Sequence, residues 1–461
     1  MTTTLRPAPD VPGFRGERIA PGDAAYDAAR RIWNGAADRR PALVVRPADA
    51  EDVARAIGAA RAQGLPLAVR GGGHSMAGHS TVDDGIVIDL SAMRDVHVDP
   101  GARRAVVGGG ALLGDLDQAT QAHGMVVPAG HVSHTGVAGL TLGGGIGWLA
   151  RALGLTVDSL VAAEMVTAAG EVVRTSADEH PELFWGLRGG GGNFGVVTRF
   201  EFRTHPLEGP LVAGMMLHPI GRARDALRAS RDLMASAPDE MSVYEVFVTV
   251  PPEPPFPPEL WGRQALAIGM AYHGPVEEGM QEAALFRELG PALDLVGPMP
   301  YLALQTMLDA GVPHGRHHRG RSEFLRELDD DVIDVLIDRF SRVTSPFAQV
   351  ITARMGGAIA RVPDDATAYG HRRAERLLWI ANLWDGGDPA PHVAWVHELS
   401  EAVAPYRSGA VYVNALDDER PERVRAAYTP EAWRRLVALK DRWDPENVFR
   451  LNQNVPPSRR A

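Results

Sequence analysis

Apolar residues at Val53, Ala54, Ile57 and Ala60 fall at three- and four-residue intervals, which predicts a helix over Ala50–Ala62 with one buried face. Short apolar runs at 42–46 and 66–70 flank it and read as strands, so the three segments form one βαβ-like unit. Further strands are expected at 85–90, 96–98 and 103–107, the last two joined as a hairpin by Asp99-Pro100-Gly101. A helix over 113–123 follows, then a hairpin of 162–167 and 171–175, a short helix at 182–187 and a strand at 195–202.

Past Leu207 longer helices (223–234, 277–289, 330–343) alternate with strands at 242–250, 265–272, 349–354 and 377–383, and the glycine-rich turns largely stop. The proline run from Pro251 cannot pair inside a sheet and is expected as a long surface loop between two strands. A final helix through Trp433, Leu436 and Leu439 gives way to an extended stretch.

A chain of 461 residues exceeds what one core usually organises, so two domains sharing an interface cleft are expected. No run is long and apolar enough to cross a membrane, and a net charge of -11 argues against a nucleic-acid or anionic-membrane partner. The absence of cysteine excludes disulfides, thiolate metal sites and a cysteine nucleophile. Lys440 is the only lysine, so a catalytic amine could stand nowhere else. The first twenty residues lack the charged-then-apolar pattern of a secretory signal; they read as a short disordered lead, and the expected location is the cytoplasm.

Candidate chemistry sits in four segments. Arg70-Gly71-Gly72-Gly73-His74-Ser75 follows a predicted strand, and Gly139-Leu-Thr-Leu-Gly143-Gly144-Gly145-Ile-Gly147 borders a short helix. The others are Arg188-Gly189-Gly190-Gly191-Gly192-Asn193-Phe194-Gly195 and the C-terminal Phe449-Arg450-Leu451-Asn452-Gln453-Asn454. Each glycine cluster is either a tight loop without a ligand or a backbone surface that something flat or anionic can approach. A Rossmann reading fails, because Gly71 to Gly73 are contiguous and lead into more loop rather than opening a helix.

The ordered motifs VRGGGHS, PAGHVSHTGVAGLTLGGGIGWL, LFWGLRGGGGNFGVVTRFEF and DPENVFRLNQNV resemble the berberine-bridge-enzyme-like flavoproteins of the vanillyl-alcohol-oxidase group, from about residue 40 to 456. The resemblance implies an α+β fold. A PCMH-type FAD-binding domain of two subdomains (1–206) would precede a substrate domain with an antiparallel sheet flanked by helices (207–414), and a C-terminal segment (415–461) would return to the first. It implies FAD bonded through its 8α-methyl carbon to His74. Many relatives add a cysteinyl bond at the position of Val132, so a single histidyl bond is expected here. The FAD cradle would comprise Arg70 to Ser75, Gly78, Thr135, Gly136, Gly139, Gly143 to Gly145, Gly147, Asn193 to Gly195, Val197, Tyr412, Asn414, Asn452 and Asn454.

Relatives remove a hydride from a carbon bearing a hydroxyl or amine, with oxygen as the usual acceptor and a roof tyrosine as a common base. Gly409-Ala-Val-Tyr412-Val-Asn414-Ala415 matches the strand that carries such tyrosines, with Ala415 where a second aromatic is usual, so Tyr412 is the candidate base. His134 and His131 flank the flavin's approach and either bind substrate or brace the loop; Thr135 holds the position thought to gate oxygen. The resemblance leaves two alternatives open: cyclisation or dehydration without net oxidation, and a flavin-carrying protein with a decayed site. The stretch His314 to Arg321 would set His314, Arg316 and His318 on one face, as a pocket wall for an anionic or phenolate substrate or as a solvated basic edge; no metal site is expected.

Overall fold

The computed structural model describes residues 8–459. Three sheets and a two-stranded pair carry the fold. The first sheet has the order Glu17–Ile19, Leu43–Arg46, Ile86–Asp89, Leu67–Arg70. The expected βαβ unit is therefore opened by a third strand: Ile86–Asp89 lies between the other two and pairs parallel with both. Its four residues are all buried, as a central parallel strand requires.

The expected disordered lead is corrected where the structure describes it, residues 1–7 lying outside the described residues. Glu17–Ile19 pairs antiparallel with Leu43–Arg46. The cause lies in the helix Ala50–Ala62, whose buried Asp52 accepts hydrogen bonds from the backbone amides of Arg15, Gly16 and Ala48. Asp49 caps the same helix by accepting from Asp52 N.

The second sheet, five antiparallel strands, includes the expected hairpins Val96–Asp99/Arg104–Gly108 and Leu160–Thr167/Val172–Ser176 around Gly195–Arg203. The third sheet has eight strands drawn from residues 211–384, with His317–Leu325 at one edge. Helices Ala223–Ser236, Val276–Arg287, Asp330–Phe340 and Ala390–Ala402 cover one face through Leu227, Phe286, Leu336 and Val396. On that face Glu245 is held by Ser230, Thr352 and Arg376, a carboxylate with each oxygen partnered.

The C-terminal helix Pro430–Trp443 lies back on the first half, with Leu436 and Leu439 in one core with Phe194 and Phe200. Lys440 fixes this return. Its buried ammonium donates to Asn193 O at 2.8 Å, Phe449 O at 2.9 Å and the Asp444 carboxylate at 2.7 Å.

Candidate active site

The uncovered face of the eight-stranded sheet roofs a cavity of about 950 Å³, floored by the glycine turns. Gly71, Gly72, Gly73, His74 and Ser75 line it. Among the described residues, the six consecutive backbone amides from Gly72 to Ala77 donate to no protein group. A run of unspent donors on a cavity wall suits a diphosphate. Gly192, Gly195 and Val197 form another stretch of the wall, with Asn452 bridging to Gly192 O at 3.1 Å and keeping a buried side-chain oxygen without a partner. Asn454 also keeps one, off the wall. Cavity, donors and glycine floor fit FAD.

Several expected cradle residues stand behind the wall instead. Arg70 is turned away, paired with Asp89 at 2.7 Å and donating to Arg31 O. Gly78, off the cavity, accepts from Arg39. Asn193 and Phe194 serve the core, Asn193 tying Gly190 to Gln453 and Val455. Thr135, Gly136, Gly139 and Gly143 reach the wall, whereas Gly144, Gly145 and Gly147 do not. The expectation that this turn offers its amides to phosphate is corrected: Gly144 N donates to Thr141 O, and Gly145 N and Ile146 N donate to the Tyr412 hydroxyl at 3.1 and 3.3 Å.

Tyr412 lies on the cavity wall just before the 3-10 turn Val413–Ala415, rather than within a sheet strand as expected. Its hydroxyl accepts a third hydrogen bond, from Asn414 Nδ2 at 3.0 Å, and has no protein acceptor for its own proton among the described residues. Burial raises its pKa, while the three donors pull the other way by favouring the phenolate. Ala415 is fully buried and off the wall, so its small side chain leaves no gap in the cavity lining.

His74 stacks on Trp33 at 5.0 Å, and its Nε2 meets His134 Nδ1 at 2.6 Å. Burial, then the neighbouring imidazoles of His134, His314 and His318, hold His74 well below the usual histidine range, so it is a neutral ring with Nδ1 uncommitted. His134, expected as catalytic, stands behind His74 rather than on the wall. His74, His134 and His314 also have the spacing of a metal site. The 2.6 Å contact is nonetheless a hydrogen bond, since two imidazoles on one zinc stand roughly 3.3 Å apart in a tetrahedron of about 2.0 Å bonds. Trp33 carried no motif and was invisible in the sequence.

His131 lies edge-on to Trp148 and Tyr244 beneath the roof, and burial pushes its pKa down to about 4. Arg316 lines the cavity, stacked over Phe347 at 3.3 Å and paired with Asp385 at 3.0 Å. The other face of this stretch is not a free basic edge: Arg319 pairs with Asp417, and Arg321 with Glu401 and Glu419. The proline run does join two strands, but Pro251 to Phe256 also close one side of the cavity, which corrects its reading as a plain surface loop.

Residues 41–176 match the family described as FAD binding domain, and residues 411–456 the family described as Berberine and berberine like. An FAD-linked oxidoreductase of Dictyostelium discoideum is 32% identical, over 92% of this chain and 91% of its own. The (R)-6-hydroxynicotine oxidase of Paenarthrobacter nicotinovorans is 31% identical, over 96% and 97%. Among solved structures, 6-hydroxy-D-nicotine oxidase from Arthrobacter nicotinovorans superposes with a TM-score of 0.88 at 28% identity, covering 99% of this chain and 100% of that one.

Proposed function

The chain belongs to the berberine-bridge-enzyme-like family of FAD-dependent oxidoreductases, and on that premise we propose that it is an oxidase that takes a hydride from a hydroxyl- or amine-bearing carbon of a small molecule. FAD, when bound, supplies the two-electron acceptor. The amides from Gly72 to Met76 would hold its diphosphate, and His74 would carry its single covalent attachment. A neutral, buried imidazole whose Nε2 is engaged by His134 would present Nδ1 as the nucleophile; the new C–N bond would replace a C–H bond of the 8α-methyl group, with the proton lost and the electron pair passed on to oxygen.

The observation that carries the reading is the Tyr412 hydroxyl, an acceptor of three hydrogen bonds with its own proton unclaimed. Tyr412 takes the substrate proton as a phenolate, the charge received by Gly145 N, Ile146 N and Asn414. Thr135, small and on the wall, leaves room for oxygen. Ala415, standing where a second aromatic is usual, favours a decayed site; the intact Tyr412 hydrogen bonds favour a working one.

Two variants test this. Acid precipitation should leave the yellow chromophore on the wild-type protein and release it from His74→Ala; colour in both supernatants would refute the attachment. Tyr412→Phe should keep its flavin and reduce it about 10²- to 10⁴-fold more slowly. Because burial raises the Tyr412 pKa, the wild-type reduction rate should climb as pH rises through the alkaline range, and the variant's should not.

A further inference from the structure

Strand register sets the character of the roof. Ile351 pairs with Val246 and with Trp379, and Ala267 pairs with Val246 and with Leu217. One row of side chains thus crosses five strands as Leu217, Ala267, Val246, Ile351 and Trp379, all on the cavity wall and without a charged or hydroxyl group. Val246, Ile351 and Trp379 are only partly buried, so their remaining surface faces the cavity. The row ends at Ser322, whose Oγ is taken by Tyr412 N. In the next row the Tyr244 hydroxyl is spent on Gly147 O at 3.0 Å.

From this, and resting on the reading of the cavity as the flavin and substrate site, we infer that the substrate is a flat, largely apolar ring system with one hydrogen-bonding group, and not a glycan. A sugar presents several hydroxyls to each wall, and against this row they would lose water without gaining partners, the polar Gln349 and Arg316 standing outside it. An aromatic ring loses nothing there and gains contact with Trp379, the partly exposed indole of the row. The single hydrogen-bonding group goes to Tyr412.

Calorimetric titration of the purified holoenzyme with 2-naphthol and with xylobiose tests the inference. 2-Naphthol should bind at least tenfold more tightly than xylobiose. Val246→Thr and Ile351→Thr preserve β-branching, yet each should weaken 2-naphthol about fivefold by placing a hydroxyl in the row, with flavin content unchanged. Equal or tighter binding of xylobiose, or threonine variants that bind 2-naphthol as the wild type does, overturns the inference. The two readings fail separately. If the predicted binding order holds but no aromatic compound carrying a CH–OH or CH–NH2 carbon on its ring reduces the flavin, the oxidase reading falls and the apolar roof stands; if xylobiose reduces it, the reverse is true.

Discussion

At Gly72 a side-chain carbon would stand 2.3 Å from Gly136 N, and at Gly147 it would stand 1.5 Å from Ala129 O. Both turns are glycine-rich because backbone meets backbone, yet they put their amides to different use. From Gly72 to Met76 the donors stay free along the cavity wall, whereas Gly145 and Ile146 give theirs to the Tyr412 hydroxyl. The first turn keeps its donors for a partner outside the chain. The second spends its donors on the Tyr412 hydroxyl, with Asn414 Oδ1 so close that a carbon on Gly143 would lie 1.9 Å from it. Glycine content alone says that something approaches closely, and not whether that something is a ligand or the protein itself.

The largest expected effect follows from the second turn's structural role. Gly147→Ala should cost about 3 kcal/mol or more, seen as loss of soluble protein or a collapsed denaturation midpoint, because a carbonyl cannot yield by that distance. A variant of wild-type stability would end the distinction between the turns.

Next comes Asp117, fully buried behind this region, where Gln305 Nε2 joins it to Gly130 O. Burial raises its pKa to about 7, so the folded state holds a proton that the unfolded chain releases near pH 4. Its contribution is full below about pH 4 and is lost as pH rises through about 7. Asp117→Asn should therefore gain stability over wild type at pH 8, by a few kcal/mol at about 1.4 per pKa unit, and show no gain at pH 4 in urea melts.

The smallest effect sharpens the contrast from the ligand's side. Gly139 lies on the wall in the helix Val137–Leu142, and a side-chain carbon there meets no atom beyond its chain neighbours and its own helix backbone within 4 Å. Gly139→Ala should stabilise flavin-free protein by up to about 1 kcal/mol while lowering flavin content as purified. Full flavin content would place the cofactor elsewhere.

Local pattern made much of this legible. The three- and four-residue spacing located Ala50–Ala62 at both ends, and Gln349–Arg354 was readable as a strand from its β-branched run Val350, Ile351 and Thr352. Long-range choices were not legible. Nothing in residues 86–89 announces that they come between the strands of an apparent unit, and nothing near Arg15 tells of the Asp52 carboxylate that orders the lead. At the site, four glycine-bearing motifs could be found by composition, but which amides are spent depends on Tyr412, more than 260 residues away. Likewise His134 reads as a catalytic side chain until it is seen engaging His74.

The chain's only lysine has its ammonium fully enclosed between Asn193, Phe449 and Asp444. The folded surface is therefore free of side-chain amines. Reagents such as succinimidyl esters or glutaraldehyde should find no lysine to modify on the native enzyme, and acylation of Lys440 would become a clean chemical report that the C-terminal return has come undone.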